Sequence, residues 1–358
     1  MWPITALTTI LETQFPIIQA PMAGGATTPE LVAAVSNAGG LGSLGAGYML
    51  PEDMRSAIKK IRELTDKPFS VNLFVPQPHH ATEQQIEKMK LIVEKSSDEL
   101  HFHLSDIKPP YLPSFDEQFA IIIEEKVPVF SFTFGIPDDN YLNELKKNKM
   151  ISIGTATTLT EAKLLEEKGI DLIVAQGCES GGHRGTFLST VENALISNFA
   201  LIPQLVDNIK IPIIASGGIM DARGIVAALV LGASGGQMGT AFLSCPESAA
   251  HHLYKQALLN TKQDNTTLTR TFSGKYCRMI KNTFINRMES HSTELLAYPI
   301  QNAVTAPMRK EAARQNQVEL LSLLAGQAAY LSKGIPAKQL INELNNDVIT
   351  LLKKYKNI

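Results

Sequence analysis

The sequence predicts an α/β fold, a (β/α)8 TIM barrel carrying a second, smaller, mainly helical domain on its substrate side. Three observations lead there. Short apolar runs rich in β-branched residues recur along the first two thirds of the chain; each is followed by turn residues and then usually by a stretch of helical period. The runs number eight, near residues 17–20, 42–45, 69–74, 129–134, 151–155, 172–176, 213–216 and 237–243. Apolar character on both faces suits parallel strands covered by helices, and the repeated strand-then-helix order argues against an antiparallel sandwich. A doubly wound open sheet would give a similar string, so the strand count and the glycines after the last two strands decide for the barrel.

The helices between the strands carry start and stop signals. Thr28 reads as an N-cap with Pro29 at the first helical position, Leu31, Val32 and Val35 face inward, and Gly39 ends the run. Thr160 reads as the cap of a helix over 161–168 that Gly169 ends, and Asp221 as the cap of a helix over 222–231 that Gly232 ends. Residues 1–245 are expected to form the barrel. An irregular, Pro-rich insertion with one helix of its own interrupts its rhythm at about 76–118. After Leu243 the strand pattern stops, and 246–358 read as helices, with apolar-periodic stretches at 318–331 and 340–352. These predict a smaller lobe covering the barrel mouth, part of it packed back on the barrel.

With 358 residues, 44% of them apolar, a large core can be buried without disulfides or metals. Lys plus Arg total 33 against 35 Asp plus Glu, so no broad field draws the chain to nucleic acid or anionic lipid. The expected partner is a small molecule acting on a monomer or homodimer. Cys178, Cys245 and Cys277 are odd in number and form no Cys/His cluster of metal-ligand spacing, which predicts a reducing, cytoplasmic setting and no metal. No segment reaches the roughly 18 apolar residues of a membrane span.

In β/α barrels the site lies at the C-terminal ends of the strands, and phosphate is often held by the loops after strands seven and eight. Here those positions carry Ser216-Gly217-Gly218-Ile219 and Gln237-Met238-Gly239-Thr240. Glycine lets the backbone approach an anion, and Thr240 adds a hydroxyl donor; tight turns also use Gly-Gly for steric reasons alone. After strand six comes Gly177-Cys178-Glu179-Ser180-Gly181-Gly182-His183-Arg184-Gly185. His183, flanked by glycines on what reads as an exposed loop, is the catalytic candidate, because an imidazole titrating near neutrality can take or give a proton. The bland alternative is a solvated loop histidine. Asn72 and Gln176 are amides facing a barrel interior, where they need partners: either each other's surroundings or a ligand with donors and acceptors of its own. His79, His80, His101 and His103 lie on the insertion and read as surface or lid residues.

These segments resemble the nitronate monooxygenase family, formerly the 2-nitropropane dioxygenases, and most of all its class I branch. The resemblance rests on Gln19-Ala20-Pro21-Met22-Ala23-Gly24 with Thr28-Pro29 and Ala38-Gly39-Gly40-Leu41-Gly42; on the Gly177–Gly185 segment; and on Ala215-Ser216-Gly217-Gly218-Ile219 with Gly239-Thr240-Ala241-Phe242-Leu243. Phe272-Ser273-Gly274, Tyr298-Pro299 and Ala325-Gly326-Gln327-Ala328 extend it, so that it runs from about residue 14 to the C-terminus. It departs at Ser180 and Ser216, where the family commonly has Ala.

The resemblance implies a barrel holding FMN, with His183 as catalytic base or hydrogen-bond donor. It implies cofactor contacts at Met22, Asn72, Gln176, Gly181, Gly217, Gly218, Gln237, Met238, Gly239 and Thr240. It suggests a substrate cavity lined by Tyr111, Tyr254 and Tyr298, with a basic residue supplied by Arg309 or its neighbour Lys310. The implied reaction is oxidation of an alkyl nitronate, of the propionate 3-nitronate type, by O2 to a carbonyl compound plus nitrite or nitrate. Two other readings remain open: an FMN-dependent NAD(P)H:quinone or enoyl-acyl-carrier-protein reductase on the same fold, and a non-redox barrel whose glycine loops hold a substrate phosphate.

Overall fold

In the computed structural model, which describes all residues except 1, 3, 263 and 356–358, eight parallel strands form the barrel. In chain order the strands among the described residues are β1 (Ile17–Gln19), β2 (Gly42–Gly45), β3 (Phe69–Phe74), β4 (Val129–Thr133), β5 (Ile151–Ala156), β6 (Leu172–Gln176), β7 (Gly182–His183), β8 (Ile213–Ser216), β9 (Gly235–Met238), β10 (Thr266–Thr269) and β11 (Cys277–Ile280). The large sheet runs β1-β9-β8-β6-β5-β4-β3-β2. It closes where Ile18 bridges Leu41 just ahead of β2, through Gln19 N–H to Leu41 O and Leu41 N–H to Ile17 O, each at 2.9 Å.

Strand periodicity explains how this barrel makes a floor and a site from the same residues. On β6, Ile173 and Ala175 point out into the core shared with the surrounding helices, while Leu172 and Val174 point in, and Gln176 continues the inward row at the strand's end. On β4, Phe130 and Phe132 point out; Val129 points in at the start, followed by Ser131 and Thr133. The inward rows are thus apolar at the N-terminal end, where the helix Ala6–Leu11 plugs the barrel with Leu7 and Leu11, and turn polar at the C-terminal end. Each buried Leu or Ile in these rows contributes roughly 1.5–3 kcal/mol.

Several expectations change. The last barrel strand is Gly235–Met238, and residues 240–243 form a short helix. Gly235 and Gly236 belong to the strand itself, and a Cβ on Gly235 would stand 2.3 Å from Leu7 Cδ2 and 2.7 Å from Pro16 O, just ahead of β1. Thr158, not Thr160, caps the helix Leu159–Glu167, its hydroxyl accepting from Glu161 N–H at 3.3 Å. Asp221 caps the helix Ala222–Val230 as expected. Strand structure does not end at Leu243: β10 and β11 pair antiparallel, and β11 also pairs with β7. Residues 318–331 are not a helix but two single 3₁₀ turns joined by extended chain. Met279 of β11 bridges Leu324 on that chain, and its apolar residues are spent on this contact.

The helix Ala337–Tyr355 returns to the barrel, where Leu340, Ile341, Leu344 and Val348 join the core made by the helices Pro29–Asn37 and Ala222–Val230. A separate cluster gathers Ile86, Met89 and Val93 of the helix Glu83–Ser96 with Phe284, Met288, Val304 and Met308. The chain's insertion and its C-terminal third therefore share one apolar core.

The join of helix Pro29–Asn37 to β2 allows no side chain at Gly42, because a Cβ there would lie 2.1 Å from Val32 O. Gly42→Ala is expected to lower unfolding free energy by about 1–3 kcal/mol, as overpacking does; urea titration of both proteins measures it.

Candidate active site

The polar ends of the inward rows open into a cavity of about 620 Å³, within the range of roughly 300–1,000 Å³ usual for small-molecule sites. Its wall includes Asn72, Ser131, Thr133, Thr155, Gln176, Ser216 and Gln237 from strand ends, and Phe272, Ser273, Cys277, Asn302, Arg309 and Gly326 from the later chain. Lining residues include no Asp, Glu or Lys; Arg309 is the one permanently charged member.

His183 lies on a short strand rather than an exposed loop, and the segment leading to it is tied down. Arg184, fully buried, donates to Gly177 O at 2.6 Å, Gln176 O at 3.0 Å and Ala194 O at 3.0 Å. Burial lowers its pKa to about 10, which leaves it charged at neutral pH. The Gln176 amide spans the same turn, Nε2 donating to His183 O at 2.9 Å and Oε1 accepting from Gly185 N–H at 2.8 Å. Beyond the turn, the fully buried Glu161 accepts from Thr157, Phe187 and Leu188 N–H groups. The local sequence, a Gly-rich turn plus a long cation, folds this way because the planar guanidinium reaches three carbonyls at once, of which only Gly177 O has a second donor, Ser180 N–H, among the backbone bonds of this turn.

The imidazole of His183 stands edge-on to Phe134 at 5.8 Å and to Tyr298 at 6.1 Å, with Nε2 2.8 Å from Ser273 Oγ. Burial, then the charges of Lys275 and Arg309, lower its pKa to about 3, so the ring is neutral across the physiological range. Phe134, at the end of β4, has φ +79°, an uncommon conformation for a bulky residue. Its ring stacks on Phe74 at 4.7 Å and lies beneath Lys275 Nζ at 4.7 Å.

Arg309 Nη2 donates to Asn302 O at 3.0 Å and Oδ1 at 2.8 Å, while Nε has no partner among the described residues. The buried hydroxyls of Tyr48 and Tyr298 face each other and have no other partner among the described residues. Of the two basic residues Arg309 is on the cavity wall, while Lys310, one residue on, is exposed and is not a lining residue. The thiols are poor nucleophiles: burial pushes Cys277 up to about 12 and raises Cys178 as well.

At the other end, Gly217 and Gly218 have φ of +119° and +68°, conformations that favour glycine. Their N–H groups make no backbone hydrogen bond among the described residues, and the loop is braced by Asn198 Nδ2 to Ser216 O at 3.1 Å and Gly217 O at 2.7 Å. Thr240 Oγ accepts from Gly326 N–H at 3.1 Å, which leaves its own proton to donate. A Cβ on Gly239 would meet no protein atom closer than 3.5 Å, so that position borders open cavity. Free N–H groups, a hydroxyl proton and open space suit a phosphate.

Of the residues expected at a cofactor, the cavity wall includes Met22, Asn72, Gln176, Gly181, Gly217, Gly218, Gln237, Gly239 and Thr240. Met238 is not on it: the side chain is in the barrel core and the carbonyl accepts from Ala20 N–H. Gln176 spends both amide ends on the His183 turn, so the structural network accounts for it; Asn72 Nδ2 is bonded to Ser131 Oγ at 3.0 Å. Tyr254 lines the cavity with its hydroxyl on Leu324 O. Tyr298 flanks His183 from behind the wall. Tyr111 is not a lining residue; it packs in the insertion against His79. His79, His80, His101 and His103 are exposed, and no group of three or more potential metal ligands occurs among the described residues. Sequence reasoning missed Tyr48, Phe74, Phe134 and Asn302. Only Phe74, which follows Asn72 on an inward row of period two, carried a signal; Phe134 has the parity of the outward-facing Phe130 and Phe132 and reaches the cavity where its φ of +79° breaks the alternation.

Known proteins share this arrangement over nearly the whole chain. A family model described as nitronate monooxygenase matches residues 4–347. A probable nitronate monooxygenase of Staphylococcus haemolyticus is 44% identical over 98% of this chain and 99% of its own. One from Staphylococcus aureus strain Newman is 42% identical over 99% of each. Among solved structures, nitroalkane oxidase from Streptomyces ansochromogenes superposes with a TM-score of 0.91 at 36% identity, over 98% of this chain and 99% of that one. FabK from Thermotoga maritima does so with 0.78 at 32% identity, over 99% of each. No helix of the described residues is long and apolar enough to cross a membrane. A closed β/α barrel, a braced histidine at its mouth and full-length similarity agree: this chain is an oxidoreductase enzyme belonging to the nitronate monooxygenase family.

Proposed function

We propose that the enzyme binds FMN non-covalently and oxidises alkyl nitronates of the propionate 3-nitronate type with O2, giving a carbonyl compound and nitrite or nitrate. The observation that carries the substrate reading is the charge of the cavity wall: no carboxylate, and one buried guanidinium with an unpartnered Nε. Such a wall favours an anion and would disfavour a cation. Gly217, Gly218, Gly239 and Thr240 would hold the phosphate of FMN, with Met22, Asn72 and Gln237 beside its ring system. When bound, FMN supplies the electron transfer that none of these side chains provides.

The protein's own part is binding, orientation and charge. A nitronate has already lost its α-proton, so His183 need only donate or accept a hydrogen bond while Arg309 balances the negative charge. Toward a neutral nitroalkane, His183 would have to act as the base. Its low proton affinity makes it a weak one, although it is always in the unprotonated form. Nitronates are therefore the better substrates on this reading. Tyr48, on the cavity wall with Tyr298 behind it, has a buried hydroxyl that could turn to an oxygen of the substrate.

The visible spectrum of purified protein, followed by anaerobic addition of propionate 3-nitronate to one sample and NADH to another, tests the reading. Flavin colour bleached by the nitronate alone supports it; bleaching by NADH alone moves the assignment to a reductase, and a colourless protein that FMN cannot reconstitute refutes the cofactor. Gly239→Val should keep the circular dichroism of the parent and lose flavin, since its side chain enters open cavity. His183→Asn should retain flavin while turnover of neutral nitroalkane falls by about two to four orders of magnitude, with a smaller loss for preformed nitronate. Arg309→Met should raise KM for nitronate about tenfold or more, the loss of one charged hydrogen bond, with kcat changed less.

A further inference from the structure

His183 has two ring nitrogens, and the turn facing it decides which one carries the proton. Ser273 Oγ is 2.8 Å from His183 Nε2, 3.0 Å from Lys275 O and 3.3 Å from Lys275 N. A serine hydroxyl has one proton. Lys275 O can only accept, and no other donor reaches it among the described residues; the Cys277 thiol, also beside Ser273, donates to Thr269 O at 3.3 Å, and its sulfur is a weaker acceptor than a carbonyl. Its claim on the Ser273 proton leaves the oxygen's lone pairs for Lys275 N–H and for His183. If the hydroxyl proton pointed to His183 instead, two oxygens would face each other at 3.0 Å with no hydrogen between them. We infer that Ser273 is a positioning residue that holds His183 as its Nε2–H tautomer, making Nδ1 the nitrogen presented to substrate.

The geometry around the pair supports this. His183 Nδ1 makes no hydrogen bond among the described residues, and the ring lines the cavity. The main chain of His183 pairs with Cys277, four residues beyond Ser273, so both partners ride on one small sheet. The turn cannot drift. Gly274 has φ +83° and donates to Arg270 O at 2.8 Å, and a Cβ on it would come within 2.3 Å of Leu296 O. Gln301 Nε2 donates to Thr271 O at 2.9 Å, and Thr305 Oγ to Phe272 O. Lys275 Nζ is held on Thr186 O at 3.1 Å above the Phe134 ring. A neutral ring with Nε2–H fixed has its only lone pair on Nδ1, the atom a nitroalkane α-proton or an incoming hydrogen-bond donor must meet.

The inference rests on the nitronate reading for its kinetics but not for its spectroscopy. In ¹⁵N-histidine-labelled holoenzyme, two-bond ¹H–¹⁵N correlations identify the unprotonated nitrogen of each ring, and the signal lost in His183→Asn assigns residue 183. The expected result is an unprotonated Nδ1 in the parent, a mixed or reversed tautomer in Ser273→Ala and the parental pattern in Ser273→Thr. Kinetically, Ser273→Ala should lower kcat for neutral nitroalkane by about ten- to a hundredfold, the scale of losing a partner that orients a functional histidine. Preformed nitronate should change less than about threefold on the same scale, and Ser273→Thr should restore the loss. A parent enzyme with Nδ1–H, or a Ser273→Ala enzyme with parental tautomer and parental rates, overturns the inference. An Nε2–H parent that turns over no nitronate overturns the substrate reading and leaves the tautomer assignment standing.

Discussion

The pairing of two residues of β7 with two of β11 holds the site together. Gly182 and His183 leave the end of β6 and, instead of returning to solvent as a loop, become a strand of a small antiparallel sheet whose other members come from the later part of the chain. Main-chain hydrogen bonds fix the backbone of His183 from one side. The buried guanidinium of Arg184 and the amide of Gln176 fix it from the other. A functional group held on paired strands is positioned more closely than one on a loop. Phe134, Tyr298 and Ser273 could not all meet one imidazole if its backbone wandered.

Electrostatics follows the same division. Glu161 is fully buried close behind the wall, and it is saturated by backbone N–H donors from the loop it braces. Its charge therefore serves the frame and offsets part of the charge of Lys275 nearby, while Arg309 is the permanent charge on the cavity wall. A buried guanidinium without an acid beside it is unfavourable in isolation. It persists here because the surrounding packing holds it, and an entering anion would relieve the imbalance. Such local unfavourable terms are characteristic of sites rather than of cores.

The barrel was legible in the sequence because parallel strands buried on both faces write long apolar runs, and the helices between them write caps. Thr28, Asp221 and the strand limits at 42–45, 69–74, 172–176 and 213–216 came directly from that pattern. The last strand did not, since its paired glycines, of which Gly235 is required by the close approach of Leu7 from the plug helix, look like a turn. Much of the lobe was illegible for a related reason. Residues 318–331 have helical spacing, yet their apolar side chains serve contacts with distant elements, and spacing alone cannot reveal a partner that lies far away in sequence. The phosphate-end glycines and His183 were visible as motifs. Tyr111 was not correctly placed, because an irregular insertion gives no periodicity from which to judge direction. The burial of Arg309 and the exposure of Lys310 depend on helical phase, which Pro307 inside the helix obscures.

The chain at 325–327 crosses back to the turn after β6. Gln327 N–H bonds Glu179 O, Gly326 N–H bonds Thr240, and a Cβ on Gly181 would stand 2.4 Å from Gly326 N. One wall of the cavity is therefore made by residues synthesised long after the loops they cover. While the barrel strands are being synthesised, the phosphate-end glycines already exist, but the space above them is still open to water. The pocket becomes enclosed only when residues 325–327 arrive, so tight retention of any small molecule is an event that follows synthesis of that segment rather than one that guides early folding.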